Sequence, residues 1–195
     1  MANEGKKWKV AFYTLLTFMI SIFIVIVLLV RMFPSVDGES YETKPFSNNE
    51  ALFTIETDKQ RFTYFINSLL KENESEVPYV IELGDEYVEF RSLFHLFGQE
   101  IPIQIYFDPT VEPNGDLLLR VDSFQLGVFS LPVDRMMMLL QEMLDLADWV
   151  VFYPVDELVE LKMTELPLDE LGKMHLRFKT FNLQEDLLEM ELYFN

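Results

Sequence analysis

The chain has 195 residues and no cysteine, and its 15 basic and 33 acidic residues give a formal net charge of −18. The missing cysteines exclude disulfides, thiolate nucleophiles and thiolate metal sites. The acidic excess argues against nucleic acid as a partner, because such binding runs through Lys and Arg.

The first element in chain order is Val10–Val30, twenty-one residues without a charge. A helix of that length spans about 31 Å, the thickness of a bilayer's hydrocarbon core. A cleavable signal peptide would have a shorter apolar core and a small-x-small site, which Arg31-Met32-Phe33-Pro34 does not offer. Lys6, Lys7 and Lys9 precede the run, whereas Arg31 is followed by acids, so the positive-inside rule keeps the N-terminus cytoplasmic. The expected organisation is a cytoplasmic tail (1–9), a transmembrane anchor (10–30), a linker (31–49) and an extracytoplasmic domain (50–195). Setting aside Glu4, Lys6, Lys7, Lys9 and Arg31 leaves 11 basic and 32 acidic residues, a net charge of −21 beyond the anchor. A cysteine-free exported domain points to a bacterial cell envelope, of the Gram-positive kind.

Pro34, Gly38 and Pro45 with scattered acids read as a spacer. Leu52–Glu56 is a short strand candidate. Thr57-Asp-Lys-Gln60 fits a capping box, and Phe62, Phe65, Ile66, Leu69 and Leu70 follow at helical spacing, predicting a helix over Asp58–Lys71. The period then becomes two: Tyr79, Ile81 and Leu83, a turn at Gly84-Asp85, then Val88, Phe90 and Phe94. Ile101, Ile103, Ile105 and Phe107 share one strand face. Asn114-Gly115 turns the chain into Leu117, Leu119 and Val121, after which the phase slips to Phe124, Leu126 and Val128. One extra residue near Asp122-Ser123 would account for the slip as a bulge that bends the sheet.

Pro132 and Asp134 suit a helix start, and Val133, Met136, Met137, Leu140, Met143, Leu144 and Ala147 form an apolar stripe running to about Leu146. Strand-like runs follow at Trp149–Tyr153, at Val159, Leu161 and Met163, at Met174, Leu176 and Phe178, and at Leu188, Met190, Leu192 and Phe194. This order predicts an α+β fold: an N-terminal transmembrane helix, then one domain whose long curved antiparallel sheet packs on two amphipathic helices.

Catalytic chemistry is hard to place. His95 and His175 stand apart from any nucleophile motif and read as structural or surface residues. The acid pairs Asp85-Glu86, Asp156-Glu157, Asp169-Glu170 and Glu185-Asp186 fall at predicted turns and read as solvated. Met136-Met137-Met138 with Met143 could suggest a soft-metal site, but consecutive helical residues point about 100° apart, so core or pocket lining fits better. No enzyme activity, metal site or cofactor is expected.

Phe97-Gly98, Ile101-Pro102, Phe107-Asp108-Pro109, Gly115, Gly127, Leu131-Pro132, Phe181-Asn-Leu183 and Asp186 form a series that resembles the YpmS-like family of Gram-positive single-span proteins. That resemblance covers the anchor as well as the domain and carries no catalytic residues with it. The layout also resembles the tubular lipid-binding superfamily, which implies a curved sheet wrapping a helix around an apolar groove. The expected function is a membrane-anchored, non-catalytic envelope protein that binds a lipid or other apolar ligand between sheet and helices. Phe62, Phe65, Ile66, Leu69, Ile103, Ile105, Phe107, Met136, Met137 and Leu140 are the expected lining. The alternative is an accessory protein that positions or regulates an envelope enzyme or assembly through a protein partner.

Overall fold

Alternating apolar residues build two antiparallel sheets in the computed structural model, which describes residues 12–25, 39–45, 50–71, 78–96, 99–127, 131–144, 146–166, 168 and 173–194. The chain divides into two units, Met1–Asp37 and Gly38–Asn195. In the first, residues 12–25 form helix α1, with every residue exposed. This helix is about 21 Å long. Among the described residues no helix is long and apolar enough to cross a membrane. The rest of the Val10–Val30 run, the tail 1–9 and linker residues 31–38 and 46–49 lie outside the described residues.

The second unit runs β1 (Phe53–Thr57), α2 (Lys59–Lys71), β2 (Tyr79–Leu83), β3 (Val88–Leu96), β4 (Gln99–Val111), β5 (Leu117–Leu126), α3 (Val133–Met143), β6 (Val150–Tyr153), β7 (Leu158–Leu161), β8 (Met174–Asn182) and β9 (Leu187–Phe194). The α+β class holds, but the single long sheet becomes two. Six strands in the order β2-β3-β4-β5-β7-β6 curl into a half-barrel, and β1-β9-β8 form a separate small sheet. The break falls after β7, where Met163 enters a 3-10 turn, Met163–Glu165, instead of continuing the strand. β8 then meets the half-barrel through the β4–β5 turn, where the Phe178 N–H donates to the Gly115 carbonyl at 2.7 Å.

The slip in apolar phase is a bulge. Tyr106 faces Ser123 and Phe107 faces Val121, which leaves Asp122 as the extra residue and bends β5. A second irregularity leaves Lys179 unopposed between Phe178 and Thr180.

Helix α2 is capped by Asp58 and not by Thr57 with Gln60: Asp58 Oδ1 accepts the Arg61 N–H at 2.8 Å. A carboxylate one residue nearer the helix also suits the positive end of its dipole better than a hydroxyl. Asn67 clamps α2 to β2, donating to the Ile81 carbonyl at 2.7 Å and accepting the Ile81 N–H at 3.1 Å. Phe62 packs edge-on against Phe178 at 5.5 Å, which joins α2 to the small sheet. Helix α3 ends at Met143, short of Leu146, because Leu144 turns extended and drives its own side chain into the core.

Gly115 sits where the two sheets touch. Its φ is +93°, and a Cβ there would lie 2.3 Å from Arg177 Cβ, against backbone-anchored atoms that cannot swing away. Gly115→Ala is expected to destabilise the domain by about 3 kcal/mol, from backbone strain plus overpacking, as measured by denaturant unfolding.

Candidate functional site

The ten residues expected to line a groove are mostly solid core. Phe62, Ile66, Ile103, Ile105, Phe107, Met136, Met137 and Leu140 are all buried, while Phe65 and Leu69 are half-buried against the same cluster. Met136 and Met137 of α3 are buried at 0% and 1% exposure, where a flexible thioether chain packs well. Of the ten, Ile66 and Phe107 line an apolar cavity among the described residues.

That cavity lies on the concave side of the half-barrel. Every strand contributes: Tyr79 and Ile81 from β2, Val88 and Phe90 from β3, Phe107 from β4, Leu119 from β5, Val159 and Leu161 from β7, and Val150 and Phe152 from β6. Ile66 of α2 closes one side, and Leu144, Leu146 and Trp149 of the segment after α3 close another. The lining is apolar throughout and the volume is about 50 Å³. Drug-sized ligands occupy roughly 300–1,000 Å³, so an acyl chain enters only if a wall moves. The alternation Tyr79/Ile81 and Val88/Phe90 marked this face in the sequence. The part played by Leu144–Phe152 had no such signal, because it depends on where α3 stops.

A second depression, of about 340 Å³, is open and polar. It is lined by Glu86 and Asp108 with Pro109, Thr180, Phe181, Asn182, Leu183 and Gln184. Two pieces of the sequence series, Asp108-Pro109 and Phe181-Asn182-Leu183, meet there.

The opposite face of β7 carries a buried polar cluster that the sequence did not announce. Residues 39–45, read as spacer, lie against it. Asp156, expected to be a solvated turn residue, accepts the Tyr41 N–H at 2.7 Å and the Ser40 hydroxyl at 3.0 Å. Lys44 Nζ lies 2.8 Å from Glu160 and 3.8 Å from Asp116, and both carboxylates are completely buried. Tyr153 donates its hydroxyl to the other oxygen of Glu160 at 3.0 Å. Asp116 accepts from the Thr164 N–H at 3.0 Å, the Thr164 hydroxyl at 2.9 Å and Asn114 Nδ2 at 2.6 Å. His175 Nδ1 lies 2.7 Å from the Thr164 carbonyl, and its ring stacks on Tyr193. The His95 side chain lies outside the described residues.

The electrostatics follow from this crowding. Burial, then a hydrogen bond to Glu160, pushes the Tyr153 phenol up to about 12. Burial, then Glu112, pushes Tyr41 well above its ordinary value. Partial burial lowers Lys44, but its hydrogen bond and charge interaction with Glu160, followed by Asp116, outweigh that and hold it above its ordinary range.

The family described as "Uncharacterized protein conserved in bacteria (DUF2140)" matches residues 6–194. The chain belongs to that family. It is 30% identical over 191 residues to the Uncharacterized protein YpmS of Bacillus subtilis (strain 168), covering 96% of this chain and 97% of the relative. The YpmS-like resemblance read from the sequence is therefore sound. No solved structure matches.

Lys44→Met would leave two buried carboxylates without their cation. Because Lys44 is about one-third exposed, the expected loss is about 2 kcal/mol, less than for a fully buried pair, and would be measured by chemical denaturation. The raised Tyr41, Tyr153 and Lys44 values also fix a pH dependence. The unfolded chain gives up these protons first, from ordinary values of 10.0 and 10.5. Their stabilisation is therefore complete below about pH 10 and is lost as pH rises toward 12. Thermal melts should fall over that window, and more gently in Tyr153→Phe.

Proposed function

We propose that this protein is a membrane-anchored, extracytoplasmic, non-catalytic envelope protein that takes an apolar chain, such as a lipid acyl tail, into the half-barrel. The observation that carries this is the lining of the concave cavity, apolar from all six strands, from Ile66 of α2 and from Leu144, Leu146 and Trp149 after α3. The resemblance of the layout to tubular lipid-binding proteins supports the same reading. Entry requires the Leu144–Trp149 segment to swing outward, since about 50 Å³ holds no more than a methylene or two.

The anchor is supported by the uncharged Val10–Val30 run with lysines before it. Residues 39–45 are held on β6 and β7, and residues 31–38 separate them in sequence from the uncharged run. Eight residues span at most about 30 Å, which keeps the domain near the outer leaflet. A reporter fused after Asn195 should be accessible to protease added outside intact cells, and one fused before Met1 should be protected; the reverse pattern overturns the orientation.

The chain reading is tested by mass spectrometry of full-length protein taken from its native membrane. Co-purified lipid, or saturable uptake of a fluorescent fatty acid by the chain in nanodiscs, is the expected result. Ile81→Trp, which fills the cavity from a half-buried edge position, should weaken uptake by about tenfold, equivalent to about 1.4 kcal/mol. A lipid-free protein whose uptake ignores Ile81→Trp would defeat the reading. The solid packing of Ile103, Ile105, Met136, Met137 and Leu140 favours the second reading, an accessory protein acting through a protein partner.

A further inference from the structure

We infer that the free edge of β1 receives an extended segment of a partner protein in which apolar and basic residues alternate. β1 pairs with β9 on one side, and among the described residues nothing hydrogen-bonds to its other edge. Two of the three other edge strands differ: Asn67 occupies the backbone of β2, and the Gly115 carbonyl takes the Phe178 N–H of β8. An edge left open presents a row of backbone donors and acceptors that fits another strand and little else. β1 also lacks the lysine or proline that commonly blunts such an edge; it reads Phe53-Thr54-Ile55-Glu56-Thr57.

Its two faces specify the partner. Phe53 faces Leu192 and Ile55 faces Met190, so both lie on the side of the small sheet that is continuous with the core. Along β9 that side runs from Leu188 at 0% exposure and Met190 at 5% out to Phe194 at 56%, while Phe53 is 65% exposed on β1. The apolar face thus continues past the edge of the core, and an added strand would extend it with apolar residues at every second position. On the other side Thr54 faces Glu191 and Glu56 faces Glu189. Glu191 is matched by Arg177 at 2.7 Å and Glu189 by Lys179 at 3.6 Å and the Thr180 hydroxyl at 2.7 Å. Glu56 is exposed, opposite a like charge, and has no ion-pair partner among the described residues. A Lys or Arg on the incoming strand would supply one.

The same charges argue against the other occupants. A second copy would bring together two domains that each carry −21, and an anionic leaflet would meet Glu50 and Glu56 beside the exposed Phe53.

The test uses the full chain in nanodiscs of zwitterionic lipid and a labelled peptide alternating valine and lysine. The expected result is saturable binding by fluorescence anisotropy, with a weaker signal for a peptide of the same composition arranged in blocks. Glu56→Lys should weaken the alternating valine–lysine peptide by about fivefold and favour a valine–glutamate peptide instead. Phe53→Ser, at a position exposed enough to leave the melting curve unchanged, should also weaken binding. Equal binding of the blocked peptide, or indifference to Glu56→Lys, would reduce the effect to general charge attraction and overturn the inference. Crosslinking of Thr54→Cys to Thr54→Cys between copies, or a blue shift of Phe53→Trp fluorescence on anionic vesicles without peptide, would overturn it in favour of self-pairing or membrane contact.

Discussion

Two carboxylates without any solvent exposure, Asp116 and Glu160, set the terms for the rest of the domain. A charge removed from water costs several kcal/mol unless its lone pairs are filled, so each of these groups dictates where its neighbours must be. Asp116 draws the Thr164 backbone and hydroxyl onto the β4–β5 turn, which fixes the 3-10 turn at Met163–Glu165 and ends β7. Glu160 holds Lys44 and Tyr153, which fastens residues 39–45 across β6 and β7. Gly115, between Asn114 and Asp116, is then presented to Phe178, and the small sheet docks there. The removal of chain from the main sheet after β7 is a consequence of that geometry.

The parts legible in the sequence were those where one face is apolar and the other wet. Helix α2, the strands β2 to β5, the bulge at Asp122 and the turn at Asn114-Gly115 all follow from periodicity or turn chemistry. In Leu158-Val159-Glu160-Leu161 the alternation of Val159 and Leu161 marks one face of β7, but it does not show that the face carrying Glu160 is buried as well. Nothing in four residues reveals that a segment more than a hundred positions earlier covers the second face. For the same reason residues 39–45 read as spacer: Pro45, Lys44 and two glutamates give no periodicity, and their hydrogen bonds depend on a surface assembled later in the chain. The candidate lining residues pose a different problem. Ile103, Ile105, Met136 and Leu140 were correctly assigned inward, but inward-facing residues meet in a packed core as readily as around a cavity. Sequence reports direction and leaves spacing to packing.

The cavity sits where the curl of the half-barrel outruns the side chains available to fill it. Strands β2 and β6 are the two ends of the sheet order, and the bulge at Asp122 increases the bend between them. α2 and α3 cover the sheet with Ile66 and Leu140, but Leu144, Leu146 and Trp149, none of them helical, close the cavity between β2 and β6. A wall made of irregular chain opens at lower cost than one made of a packed helix, because fewer backbone hydrogen bonds break with it.

β7 links that cavity to residues 39–45. Val159 and Leu161 face the apolar space, while Glu160, between them, holds Lys44 on the other face. β6 repeats the pattern, with Phe152 lining the cavity and Tyr153 bonded to Glu160. In a strand the side chains alternate, so any shift that widens the cavity at Val159 must move Glu160 against its fixed partners. A chain entering the half-barrel between β2 and β6 therefore works against the Lys44 contact if it displaces β7, but not if it displaces Leu144–Trp149 alone. Coupling between two sites is reciprocal: if filling the cavity weakened the hold on Lys44, releasing Lys44 would favour filling by the same factor. The arrangement that leaves the two independent is the one in which the irregular wall yields and the sheet stays still.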